Sequence, residues 1–229
     1  MQDVSVFEKY MTGTVITDIA AILLLISILV YTSSYRKRDT FVDRVFFHMI
    51  IWDMIAAVSD ALDSILEVNA ANNAGWRIAL LLGHTVFTLA FEICVFFFIL
   101  YLLGVAGLEE KVNKYWMVIA VPVLLLIILI IVNFFTGMLF YVDPDTGYAH
   151  GNMYFLVLMC AYIYAAAGVL LLWRIHKGLV LFTLGFVAIR IILSHVLYSV
   201  SASAFMLAVG MVFAHICMMN RSFYKGVEE

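Results

Sequence analysis

Four carboxylates interrupt an otherwise apolar stretch of the chain. They are Asp53, Asp60, Asp63 and Glu67. Asp53, Asp60 and Glu67 recur every seven residues, which keeps them on one face of a helix, with Asp63 beside that face. Ionisable side chains are costly inside a membrane and usually serve a function or pair with one another there. The spacing therefore predicts a polar face on an apolar helix.

Other ionisable residues fall at a similar depth to Asp60 in neighbouring apolar stretches. They are Asp18, His84 and His195. Carboxylates and imidazoles from four helices can bind an amine, a metal ion or a proton, so these residues and Asp60 form the candidate ligand-binding layer. The chain has no HExxH or HxxxH pair. Because a membrane histidine more often hydrogen-bonds to a neighbour than binds metal, we expect no metal site and no cofactor.

A second set of ionisable residues is expected near the middle of the membrane. Asp53, Glu92 and Arg190 lie at comparable heights on three different apolar stretches. A charge at this depth needs a partner, so the sequence predicts an ion pair of Arg190 with Asp53 or Glu92. Such a pair is either a structural lock between helices or a switch that a ligand or a proton breaks. The sequence leaves both interpretations open.

The composition predicts the environment of these residues. Hydrophobic residues make up 66% of the 229 residues and charged residues 13%, and the mean hydropathy is +1.07. This is too little polar surface for a soluble globule. Seven stretches have about the 20 apolar residues that a membrane helix needs. They are approximately 14–31, 41–66, 77–103, 116–135, 153–173, 179–200 and 203–219. Lipid-exposed backbone must be helical, so we expect an all-α, seven-helix bundle forming one domain over 1–229.

The distribution of Lys and Arg predicts the orientation of the bundle. Basic residues cluster after the first, third and fifth stretches and in the C-terminal tail, whereas the other side has only Lys9 and Arg77. The positive-inside rule then gives an outside N-terminus and a cytoplasmic C-terminus in the plasma membrane. Counted from the inner boundary at 1.5 Å per residue, Asp63 and Glu67 fall at or beyond the outer surface. We therefore expect both side chains at a solvated helix end.

Several classes of function are excluded by what the sequence lacks. Retinal chemistry needs a lysine inside the membrane, and every lysine here lies in a loop or a tail. A net charge of -3 argues against nucleic-acid binding. Cys94, Cys160 and Cys217 occur singly in different apolar stretches, without the paired spacing of redox or metal sites. These absences leave receptors, transporters and membrane hydrolases.

The loop between the fourth and fifth apolar stretches has a distinctive sequence, "VNFFTGMLFYVDPDTGYAHGNMYFL". Pro144 presets a turn after Asp143, and Gly147 can adopt positive φ. Aromatic residues flank the turn, among them Tyr141 and Tyr148. The stretch predicts a short outer hairpin at the membrane interface. The alternative is a lid over the acidic layer, in which Tyr141 and Tyr148 contact the ligand.

The same loop carries a resemblance to a known family. The matching residues are Asn133, Phe135, Thr136, Gly137, Phe140, Tyr141, Asp143, Gly147, Tyr148, Gly151 and Tyr154. They resemble the loop of N-terminal seven-helix sensory modules in Gram-positive, clostridial-type membrane receptors. Arg44, Phe47, Asp53 and Asp60 resemble the second span of those modules. The family usually continues into a GGDEF diguanylate cyclase domain, and related modules precede histidine kinases. His150 and Asn152 depart from the Arg and Pro of the family pattern.

The resemblance implies a bacterial receptor module that is not itself an enzyme. It would detect an extracellular or membrane-borne ligand and pass a conformational change to a cytoplasmic domain or partner, with dimerisation of adjacent modules as the expected route. No output domain is expected within the chain, because about ten residues follow the last apolar stretch. One alternative is a small ion- or proton-coupled transporter. A weaker one is a zinc-dependent intramembrane hydrolase, for which the residue types are supplied by Asp60, His84, Ser194, His195 and His215, without the paired histidines expected on the last helix.

Overall fold

The computed structural model describes most of the chain. The described residues are 4–35, 40–70, 73–105, 107–143, 147–175 and 203–225. The predicted sixth apolar stretch, 179–200, lies outside them. Arg190 and His195, which the sequence analysis placed in an ion pair and in the ligand-binding layer, therefore lie outside the described residues as well.

Helices account for most of the described chain. They are α1 (Val4–Tyr35), α2 (Phe41–Ala70), α3 (Ala74–Val105), α4 (Glu109–Thr136), α5 (Phe155–Ile175) and α6 (Ser203–Lys225). Local sequence sets two of the boundaries. Thr40 starts α2, because its Oγ1 accepts the Asp43 N–H at 3.1 Å and donates to the Asp43 carboxylate at 2.7 Å. Gly137 ends α4 in the left-handed conformation, with φ of 62°.

Four of the described helices are long and apolar enough to cross a membrane. Their candidate spans are Gly13–Ser33, Phe41–Glu67, Ala74–Val105 and Glu109–Thr136. Two shorter apolar segments follow, Phe155–Leu170 and Ala204–Phe213. On α4 one face remains exposed and apolar, with Leu125, Ile128 and Ile131 more than half accessible. Such a surface suits lipid better than water. The described chain is mostly helical, and four of its helices could span a membrane.

The helices pack around α2. Its most extensive neighbour is α3, followed by α1, while α5 packs on α3 and α6 packs on α1 and α2. Large apolar side chains with almost no exposure fill the centre, among them Leu25, Met49, Ile50 and Leu102. α2 and α3 are antiparallel, because Asp63 lies against Gly83 and Phe41 lies against Gly104, so the end of α2 lies beside the start of α3. We call this side the hairpin end, and the side with the start of α2 and the end of α3 the opposite end.

A two-stranded antiparallel hairpin connects α4 to α5. Its strands are β1 (Phe140–Asp143) and β2 (Gly147–His150), with Phe140 paired to His150 and Val142 to Tyr148. Gly147 has φ of 79°, a conformation that favours glycine over residues with a Cβ. The predicted short hairpin is therefore confirmed in the described residues.

Candidate functional site

The root of the hairpin is fixed by one buried side chain, Asn133, near the end of α4. Its Nδ2 donates to the Phe140 carbonyl at 2.9 Å. Its Oδ1 accepts the backbone N–H of Leu139 at 2.6 Å and of Phe140 at 3.3 Å. Asn133 is only 3% exposed. Because three backbone groups depend on this amide, it holds β1 at a fixed position relative to α4.

Close backbone packing fixes the other side of the root. The Gly151 N–H donates to the Leu139 carbonyl at 2.8 Å. A Cβ at Gly151 would overlap the carbonyl oxygens of Gly137 and Met138. Only glycine fits this position without displacing the chain. The glycines and the asparagine of the loop motif thus have a structural role, since they set where the hairpin lies.

The hairpin rests on the bundle through Tyr148. The ring centroid of Tyr148 lies 4.1 Å from that of His84 on α3, and Phe140 contacts the same histidine edge-on at 4.8 Å. Glu67 lies beside the hairpin, with a carboxylate oxygen 3.5 Å from where a Cβ of Gly147 would be. Burial raises the pKa of the Tyr148 phenol, so this hydroxyl stays neutral. The hairpin therefore covers a histidine and a carboxylate.

Asp63 is buried beneath this contact. It is 7% exposed, and its Oδ2 lies 3.4 Å from the Nδ1 of His84. The expectation of a solvated helix end is wrong for Asp63, and Glu67 is only partly accessible. The reason is Gly83, because a Cβ there would overlap the Asp63 carboxylate. A position count along α2 does not reveal the space that Gly83 leaves on α3.

Two more carboxylates continue from this point into the bundle. Asp60 is 8% exposed and interacts electrostatically with His84 and with Asp18 on α1. Asp18 and Asp53 are both fully buried, and Asp53 interacts electrostatically with Asp18. Neither oxygen of Asp18 or Asp53 has a hydrogen-bond partner among the described residues. The carboxylates thus form a continuous series from the hairpin end to the middle of α2.

The structure brings together part of the predicted ligand-binding layer. Asp18, Asp60 and His84 are electrostatic neighbours, and Tyr148 covers His84. Tyr141 does not join them, because its side chain is 44% exposed on the other side of β1. We call the set formed by Asp18, Asp60, Asp63, Glu67 and His84 the acidic cluster.

The predicted mid-membrane set is only partly described. Glu92 is 2% exposed and hydrogen-bonds to the Cys160 thiol of α5. Its neighbour in this part of the structure is therefore α5. Asp53 contacts α1 electrostatically instead. The pairing of either acid with Arg190 remains a prediction.

The hairpin carries a second histidine at its outer edge. His150 stacks on Tyr154 with ring centroids 3.7 Å apart and meets Tyr148 edge-on at 5.4 Å. Partial burial lowers the pKa of His150, and the nearby His84 lowers it further. The aromatic rings thus connect the acidic cluster to the surface of the hairpin.

Sequence reasoning missed Asp63, Glu67 and Gly83 as members of the site. One signal was present, since Asp63 and Glu67 are four residues apart and so lie one turn apart on the same face. The pair Gly83 and His84 offered a second, because a small residue in a membrane helix allows close approach of another helix. Neither signal alone identifies the contact between Asp63 and Gly83, because that contact depends on how α3 is rotated against α2.

The chemistry of the acidic cluster favours positive charge. Asp60, Asp63 and Glu67 all interact with the one histidine His84, among apolar helices where an uncompensated anion is costly. Among the described residues, no group of three or more His, Cys, Asp or Glu side chains is arranged to hold a metal ion. The site offers carboxylate oxygens and aromatic faces.

Comparisons with protein-family models, with curated proteins and with solved structures gave no significant match. The likeness of the 133–154 loop to receptor modules is thus a resemblance of the motif alone. Its asparagine and glycines have local structural reasons, as the hydrogen bonds of Asn133 and the close packing of Gly151 demonstrate. The geometry of the acidic cluster and its hairpin is the firmer basis for a functional proposal.

Proposed function

We propose that this chain is a seven-helix sensory module of the bacterial plasma membrane, with its N-terminus and hairpin outside and its C-terminus in the cytoplasm. The observation that carries the proposal is the hairpin lying on partly buried ionisable groups, with Tyr148 on His84 and Glu67 beside Gly147. A loop held at its root and resting on charged groups is suited to respond when a ligand enters between them. The ligand comes from outside the cell or from the membrane.

The helices offer a route for transmitting the change. Asp63 and Phe46 lie on the same helix, 17 residues or about 25 Å apart. At the opposite end, Phe46 packs on His215 of α6, and the hydroxyl of Tyr101 on α3 lies 3.1 Å from the His215 Nδ1. A shift of α2 against α3 would reach α6 through these contacts. The output is then a cytoplasmic domain or partner, or a second copy of the module.

The test is whether a change at the hairpin end alters the opposite end. Asp63→Asn removes one charge from the acidic cluster and keeps the side chain's shape. Hydrogen exchange of the full chain in lipid nanodiscs would be followed at the start of α2 and the end of α3. We expect a changed exchange rate there, because the variant shifts the equilibrium between two helix arrangements.

Arg77→Gln is the control for this experiment, since it also neutralises one charge at the hairpin end but lies on a partly exposed position of α3. It should leave exchange at the opposite end as in the wild type. An identical exchange pattern at the opposite end in Asp63→Asn and wild type would contradict the proposed transmission.

One observation favours a transporter as the second candidate. Asp18 and Asp53 are fully buried, and their carboxylates have no hydrogen-bond partner in the part of the chain that the structure describes. Such groups suit proton binding and release within a membrane. Proteoliposomes with an imposed pH gradient distinguish the two functions. Proton flux that is lost in Asp53→Asn would favour the transporter, and an absence of flux in the wild type would favour the receptor.

A further inference from the structure

Two carboxylates of the acidic cluster, Asp18 and Asp63, lack a Lys or Arg partner among the described residues. Among the described residues, Asp63 can form an ion pair only with His84, at 3.4 Å when that histidine is protonated, and no Lys or Arg pairs with Asp63 or Asp18. Glu67 lies next along α2 and interacts electrostatically with Asp63. Even a protonated His84 would neutralise only one carboxylate. Positive charge from outside the described residues is therefore needed when these groups are ionised.

A buried side chain at the base of the cluster lacks hydrogen-bond donors. Asp18 is 0% exposed, both of its oxygens are without a partner among the described residues, and it faces Asp60 electrostatically. Asp63 likewise accepts no hydrogen bond from the described residues at either oxygen. Buried carboxylates normally accept hydrogen bonds. A ligand that pairs with these carboxylate oxygens must supply N–H donors as well as positive charge.

Aromatic rings form a wall around the histidine of the acidic cluster. Tyr148 and Phe140 of the hairpin both pack on His84, and Phe87 lies on the same side of α3 with its ring centroid 5.7 Å from that of His84. Aromatic faces attract organic cations and contact their methylene groups favourably. A hydrated metal ion gains little from such a wall. The combination of carboxylates and aromatic rings is selective for an organic cation.

The spacing of the carboxylates along α2 indicates the length of the ligand. Asp60, Asp63 and Glu67 succeed one another at three and four residues, which corresponds to rises of about 4.5 Å and 6 Å along the helix axis. Two ammonium groups joined by a short methylene chain match such a row. A single ammonium group satisfies only one position.

We infer that the acidic cluster binds a linear aliphatic diamine, with one ammonium group between Asp63 and Asp60 and the other at Glu67 under the hairpin. The inference names the class of ligand that binds the proposed receptor site. It rests on the proposed function only because it uses the same site. The methylene chain lies against Tyr148, and the ammonium N–H groups donate to the carboxylate oxygens.

The experiment titrates the full chain in lipid nanodiscs with four probes at equal ionic strength. They are 1,4-diaminobutane, butylamine, tetramethylammonium and calcium, each as the chloride. Isothermal titration calorimetry measures binding, and the midpoint of thermal unfolding provides an independent readout. We expect the diamine to bind at least 10-fold more tightly than butylamine. Tetramethylammonium, which has no N–H, and calcium should give no saturable binding.

Three variants locate the site. Gly83→Ala leaves every charge in place but pushes the Asp63 carboxylate away from α3, because the new Cβ overlaps it. Glu67→Gln changes a partly accessible residue and is expected to fold normally. Both should weaken diamine binding at least 10-fold. Glu110→Gln, an exposed residue at the start of α4 on the opposite end, is the matched control and should bind as the wild type does.

Two results would overturn the inference. One is equal binding of the diamine and tetramethylammonium, which would indicate general screening of charge. The other is unchanged diamine affinity in both Gly83→Ala and Glu67→Gln. Neither result affects the receptor proposal, which is tested by the hydrogen-exchange comparison of Asp63→Asn without any amine. The two experiments therefore distinguish a wrong ligand class from a wrong function.

Discussion

The two ends of the bundle each bury a histidine against aromatic rings, but with different polar partners. At the opposite end, His215 stacks on Phe46 with ring centroids 3.8 Å apart, and its Nδ1 lies 3.1 Å from the Tyr101 hydroxyl. At the hairpin end, His84 contacts Tyr148 and lies 3.4 Å from the Asp63 carboxylate. One histidine meets a neutral hydroxyl, and the other meets a group of acids.

From this difference, we expect the opposite end to contribute mainly to stability and the hairpin end mainly to the proposed binding. The Tyr101 and His215 pair is hydrogen-bonded and packed, so it stabilises the contact among α2, α3 and α6. The hairpin end instead retains carboxylate oxygens on Asp18 and Asp63 without hydrogen bonds among the described residues, an arrangement that lowers stability. Proteins keep such unfavourable groups mainly where function requires them. Substitutions at the two ends should therefore have different consequences.

The largest expected effect is that of Gly151→Ala at the root of the hairpin. The added Cβ overlaps two backbone carbonyl oxygens, which cannot rotate away as a side chain does. We expect the free energy of unfolding to fall by roughly 3 kcal/mol, and the hairpin to lose its position over the acidic cluster. Thermal unfolding in nanodiscs measures the loss.

Gly75→Ala is the matched control, because a Cβ there meets only the flexible Asn73 side chain at 3.2 Å. It should change stability little. Equal stability of the two alanine variants would show that the hairpin root tolerates displacement, and the proposed fixed position of the hairpin would then be wrong.

Asn133→Ala should have the next largest effect. It removes three hydrogen bonds to the backbone of Leu139 and Phe140, and the cost is roughly 2 kcal/mol because these buried groups lose their partner. Hydrogen exchange at the Leu139 and Phe140 amides should become faster. Asn113→Ala, on an exposed position of α4, should alter neither stability nor exchange at these amides.

Much of the fold follows from the sequence, but the contacts of the site follow only partly. Apolar stretches long enough for a membrane indicate the helices, and the turn residues between Asp143 and Gly147 indicate the hairpin. The rotation of α3 against α2 cannot be read from the sequence, because α3 is apolar nearly all round and its periodicity does not identify the side that faces α2. Hence the contact of Asp63 with Gly83, and that of Glu92 with Cys160, appear only in three dimensions.

A pair of histidine substitutions tests the comparison directly, with a smaller effect. His215→Phe keeps a ring against Phe46 but removes the hydrogen bond to Tyr101, so unfolding should become easier by about 1 kcal/mol while diamine binding is unchanged. His84→Phe keeps the ring under Tyr148 but removes the partner of Asp63, so diamine affinity should change. Calorimetry and thermal unfolding on both variants measure the two quantities. The opposite assignment of effects would remove the distinction between the ends.

The smallest expected effect is a pH dependence from His150 at the edge of the hairpin. Partial burial and the neighbouring His84 lower the pKa of His150 in the folded protein, so the unfolded chain takes up this proton first as the pH falls below the ordinary value of 6.5. Unfolding is then favoured, and stability should decrease with falling pH across this range. His150→Phe retains a ring against Tyr154 and should make the decrease shallower. Parallel stability curves for the variant and the wild type between pH 7 and 5 would show that His84 and the carboxylates alone set the acid sensitivity of the hairpin end.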